Sequence, residues 1–148
     1  MTRMFQDYNF SVDQVENSTA TRLLGSVYDN DPDHQPCVVF LKTAGSTGWH
    51  RFFLQAQIGF WEFRSDATTE EEFDECFGDD GRLVDYGDWI GGMPQTLSKA
   101  YANECDKGCT EIHLNFLDGN QFRLLFASAD LDAGFTVEAT TWKKSLTD

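Results

Sequence analysis

Cys105, Cys109 and His113 are spaced by four and four residues, which on a single helix would align three ligands for a zinc ion. Gly108 breaks that helix, the residues from Thr110 onward alternate as a strand does, and no Cys-x-x-Cys pair or fourth ligand accompanies them. No metal and no other cofactor is therefore expected. Asp29, Asp31 and Asp33 match the opening of a calcium loop, but His34 stands where such a loop needs glycine and Phe40 where it needs glutamate, so a solvated acidic turn is expected instead. Ser46, Thr47 and His50 place hydroxyls near a base without a Gly-x-Ser-x-Gly elbow or a Gly-Lys-Ser/Thr phosphate loop around them. His34 lies in a loop, while His50 and His113 fall in strands, turned away from part of the core and with no motif partner. The 25 acidic residues form close pairs, but no pair sits in an apolar segment that would split their pKa values. The chain does not read as an enzyme.

The residue types favour binding. Between Glu62 and Asp88 there are eleven acids against two bases, Arg64 and Arg82, and Tyr86 and Trp89 close that window within a Gly- and Asp-rich stretch. Tyrosine and tryptophan are the usual anchors of interfaces, and acids around them form a rim complementary to a basic surface. The expected partner-binding set is Glu70, Glu71, Glu72, Asp74, Glu75, Asp79, Asp80, Asp85, Tyr86, Asp88 and Trp89. Trp61, alternating with Phe60 and Phe63, reads as core.

Several elements must position these residues. Residues 37–43 form a buried strand, Trp49 to Leu54 returns as its partner, and Ile58 to Phe63 makes a third strand. Thr69 with Glu72 has the spacing of a capping box, and Phe73, Cys76 and Phe77 share one face of the helix that Gly78 stops. A second helix is expected from Pro94 to Glu104, where Met93, Leu97, Ala100 and Tyr101 recur at helical spacing. Ile112, Leu114 and Phe116 alternate before the turn at Asp118-Gly119-Asn120, and Phe122, Leu124 and Phe126 alternate after it. A three-residue loop with Gly119 or Asn120 left-handed would pair Phe116 with Phe122 and keep both apolar sets on one face. Phe135 to Ala139 closes the set, and residues 37–63 and 110–139 share an order of elements that suggests a weak internal repeat. The first 20 residues show little beyond a capped turn at Ser11 to Val15 and are expected to be poorly ordered.

The 148 residues, 41% of them apolar, suffice for one domain with its own core, and the expected fold is α+β: an antiparallel sheet of about six strands with two short helices. The longest apolar run, Cys37-Val38-Val39-Phe40-Leu41, is far too short to cross a membrane. With no apolar leader behind Arg3, a cytoplasmic address is expected, and with it free thiols at Cys37, Cys76, Cys105 and Cys109. The net charge of −14 disfavours nucleic acid and anionic lipid and favours a basic protein partner.

In its small size, strong acidity, lack of a catalytic motif, and strands such as Arg51-Phe52-Phe53-Leu54 and Phe60-Trp61-Glu62, the chain resembles bacterial immunity proteins of polymorphic and contact-delivered toxin systems. The resemblance implies a non-enzymatic inhibitor that covers a cognate toxin domain, and it carries no site residue over by position. A DNA mimic of the anti-restriction or anti-CRISPR type is the alternative, with acids spread in rows over the surface rather than gathered in a patch. An enzyme of unknown chemistry is the third possibility.

Overall fold

The computed structural model describes residues 4–28, 38–55, 58–78, 81–104, 110–126 and 137–142. Eleven strands and one α-helix occur among them, and every strand pairing is antiparallel. The first sheet has the order β1 (Met4–Asp7), β6 (Ile58–Ser65), β5 (Gly48–Gln55), β4 (Val38–Thr43), β3 (Thr19–Tyr28), with β7 (Gly81–Asp85) beside the far end of β3. The second runs β2 (Phe10–Ser11), β8 (Gln95–Glu104), β9 (Thr110–Phe116), β10 (Gln121–Phe126), β11 (Val137–Trp142). They join at one corner, where Thr19 and Ala20 pair with Thr96 and Gln95. A single helix, α1 (Asp66–Gly78), lies on the first sheet.

Alternation along the strands decides which faces meet. Leu23, Leu41, Phe52 and Trp61 of the first sheet turn inward onto Ile112, Leu114, Phe122 and Leu124 of the second, and all eight are at most 2% exposed. Burial on that scale is the dominant favourable contribution to the fold. The outer face of the first sheet is apolar in part as well: Leu24, Phe40 and Trp49 are buried there under Phe73 of α1, whose ring meets those of Phe40 and Trp49 edge-on at 4.9 and 5.4 Å. A 3-10 turn, Tyr86–Ile90, inserts Tyr86 and Ile90 into the main core. The edge of the Tyr86 ring lies against Gly25 of β3, where a Cβ would fall 2.1 Å from the tyrosine ring, so only glycine admits the ring at that distance.

The expected α+β fold with six strands and two helices is overturned: the structure is dominated by antiparallel sheet. The segment Pro94 to Glu104, expected as a helix, is strand β8 from Gln95 onward. A register shift between Leu97 and Lys99 adds one residue, so that Leu97 and Ala100 both face the core three positions apart and imitate a helical repeat. The N-terminal residues expected to be poorly ordered contribute β1, β2 and a 3-10 turn, Asp13–Val15, in which Ser11 Oγ bonds Asp13 and no side chain caps the turn. Four residues, Leu117 to Asn120, separate β9 from β10, and in place of the expected loop Asp118-Gly119-Asn120 the turn is closed between Phe116 and Asn120, with Gly119 its left-handed residue at φ 95°. The register differs by two, with Phe122 opposite Leu114, because Asn120 turns inward and donates to Ile90 O and Gln95 Oε1, both at 3.0 Å. The apolar sets still share the inner face. Cys37, Cys76, Cys105, Cys109, the acidic turn at 29–33 and the start of the expected strand at Phe135 lie outside the described residues or side chains. Among the described residues no helix is long and apolar enough to cross a membrane.

Candidate protein-binding surface

The acidic window folds into two separate places. Its first half is α1, which starts one turn earlier than the expected cap at Thr69. Ser65 Oγ accepts from the Thr68 N–H at 3.3 Å, and Thr69, almost fully buried, donates its hydroxyl back to Ser65 O at 2.9 Å. With the helix phased this way, Glu72 falls beside Phe73 on the side facing the sheet. Arg51 of β5 meets it there through Nε at 3.1 and 3.2 Å and Nη2 at 2.8 Å, while its Nη1 donates to Glu62 Oε1 at 2.8 Å. Arg64 adds contacts of 3.0 Å to Glu62 and 3.4 Å to Glu72, and Lys42 pairs with Asp66 at the start of the helix. Glu62 and Arg51 oppose one another across the β5–β6 hairpin, so strand register places this pair independently of the helix.

This internal pairing divides the expected binding residues. Glu72 is engaged inward and is removed from the candidate surface. Glu70 and Glu71 are exposed, and Asp74 and Glu75 follow one helical turn later. Asp79 and Asp80 lie outside the described residues. The second half of the window is the 3-10 turn Tyr86–Ile90, which packs on β3 and β11. Asp85 caps that turn by accepting from the Gly87 N–H at 2.9 Å, and Asp88 is exposed in its first turn. Tyr86 is 0% exposed and therefore offers no surface to a partner. Trp89 is half-buried, edge-on to Tyr86 with ring centroids 4.6 Å apart, and serves first as packing for it.

The cations Lys42, Arg51 and Arg64 were the residues that sequence reasoning passed over. They occupy the outer face of the first sheet and are all drawn to acids beneath and beside α1, leaving Glu70 and Glu71 without a neutralising partner among the described residues. The histidines do not join this surface. His50 points inward, where its Nδ1 accepts from the Trp61 indole N–H at 3.2 Å, and burial, reinforced by the charge of Lys42, lowers its pKa to about 4. His113 sits on the outer face of the second sheet with its pKa lowered, chiefly by burial. No family model, curated protein or solved structure matches the chain.

Proposed function

We propose that this chain is a non-enzymatic binding protein that presents the outer side of α1 to a basic partner protein, as an immunity protein covers a toxin domain. The observation that carries this reading is the division of charge around the helix. Lys42, Arg51 and Arg64 are committed to Glu62, Asp66 and Glu72, while Glu70 and Glu71 are exposed and unpaired among the described residues. Like charges held close repel one another, and a cationic surface relieves that repulsion on docking.

The test is affinity capture from the source cells with the parent chain and a Glu70→Lys/Glu71→Lys variant side by side, followed by binding kinetics on the recovered partner at several salt concentrations. Both substituted side chains are exposed and unpaired among the described residues, so the fold tolerates the change. Association of the variant is expected to slow by about tenfold at low salt and to lose most of its salt dependence. Equal retention of the same partner by both proteins at every salt concentration refutes the reading. Recovery of many unrelated DNA-binding proteins supports a DNA mimic instead.

A further inference from the structure

The first sheet carries α1 on its outer face; among the described residues no helix covers the outer face of the second. Strand register sets out a row of side chains there, Ser11, Tyr101, His113 and Arg123, on four neighbouring strands, with Lys99 opposite Asn115 in the next row. Between this face and the N-terminal segment lies an open cleft of about 580 Å³, within the size range of small-ligand sites, to which Asn9, Ser11, Glu16, Lys99, Tyr101 and Asn115 contribute.

Three features of the cleft point to one class of ligand. The first is a rigid aromatic wall. The Tyr101 ring is stacked on His113 with centroids 4.7 Å apart and planes 13° from parallel, which closes one of its faces. Its strand neighbour on the other side is Ser11, too small to cover the second face, and that face borders the cleft. The second is a set of unengaged polar groups. Among the described residues the Lys99 ammonium, the Glu16 carboxylate and the Tyr101 hydroxyl make no internal hydrogen bond. This contrasts with the outer face of the first sheet, where arginines and carboxylates satisfy one another. The third is charge. Lys99 and Glu16 cancel locally, which gives a cation no local charge to pair with, and a chain of net charge −14 repels anions such as a phosphate.

We propose that this cleft binds a neutral saccharide. One apolar C–H face of a sugar ring packs on the open face of Tyr101, and the ring hydroxyls donate to Glu16 and accept from Lys99. The site is remote in sequence from α1 and independent of the protein-binding surface.

Saturation-transfer NMR on the whole chain, with maltose, cellobiose and N,N′-diacetylchitobiose as probes and adenosine as comparator, tests the assignment. At least one disaccharide is expected to receive saturation at its ring C–H protons with a Kd of ~1 mM, weakened about tenfold by Tyr101→Ala. Lys99→Ala, at an exposed position that the fold does not depend on, is expected to weaken it by about threefold. The Glu70→Lys/Glu71→Lys variant is expected to bind sugar as the parent does, which separates this site from the partner surface. The proposal is overturned by any of three results: no transfer to any disaccharide up to ~50 mM, transfer unchanged by both Tyr101→Ala and Lys99→Ala, or transfer to adenosine alone.

Discussion

His50 shows how one residue couples the core to pH. Its ring is 5% exposed, lies between Trp61 and Phe63, and accepts the indole hydrogen bond of Trp61 on Nδ1, so the neutral tautomer with its proton on Nε2 is the one that fits. Its pKa of about 4 in the folded chain stands against 6.5 unfolded. Above pH 6.5 both states are neutral and the contribution of His50 to stability is whole. As pH falls from 6.5 towards 4, the unfolded state takes up the proton first and that contribution is lost, by roughly 3 kcal/mol across the window. His50→Asn, whose amide oxygen can still accept from Trp61, removes the titration. Urea unfolding of the parent between pH 7 and pH 4 is therefore expected to fall more steeply than that of the variant; the carboxylates titrate alike in both, and parallel curves would refute the coupling. The alternation of residues 49–54 with 58–63 foretold the strands and the buried Trp61. It could not tell which face of β5 looked inward, because Trp49, Arg51 and Phe53 on one side are as bulky as His50, Phe52 and Leu54 on the other, and α1 buries part of the outer side too.

At the scale of elements, α1 is held to the sheet by two unlike contacts: the Phe73 ring on Phe40 and Trp49, and the Arg51 guanidinium shared between Glu62 and Glu72. The side chains of this ion cluster are 15–24% exposed for Arg51, Glu62 and Glu72, enough burial that removing the central cation leaves two carboxylates confined together with only the more exposed Arg64 to balance them. Arg51→Met is expected to cost about 2–4 kcal/mol in chemical denaturation, and adding Glu62→Gln and Glu72→Gln to it should recover part of the loss by removing the stranded charges. If the triple variant is less stable than the single one by more than ~1 kcal/mol, the cluster holds the helix through packing and hydrogen bonds instead of charge balance. The existence of this helix and its Phe73 face were readable from spacing. Its true cap at Ser65 was not, since Thr69 with Glu72 offers an equally good local signal and only the approach of β5 decides the phase.

For the whole molecule, charge and sheet closure set the behaviour. With 25 acidic and 11 basic residues the folded chain repels itself, and salt screens exposed charges more than it weakens the half-buried Arg51 cluster. The thermal midpoint is expected to rise by several degrees between ~10 mM and ~0.5 M sodium chloride, and by less in the Glu70→Lys/Glu71→Lys variant; a midpoint that falls with salt would mean that ion pairing outweighs repulsion. Composition and period were enough to determine the acidity, the hairpin strands β4 to β6, the helix α1, and the shared inner face of β9 and β10, because each rests on neighbours in sequence. Tertiary structure alone decided the rest. The bulge in β8 disguised a strand as a helix, and the pairing of Met4–Asp7 with β6, more than 50 residues away, made an unpatterned N-terminus part of the sheet. Gly25 admitted Tyr86 to the core, and Arg51 drew Glu72 inward out of an acidic run. Each of these depends on which strands lie side by side, a relation between distant segments that local spacing does not encode.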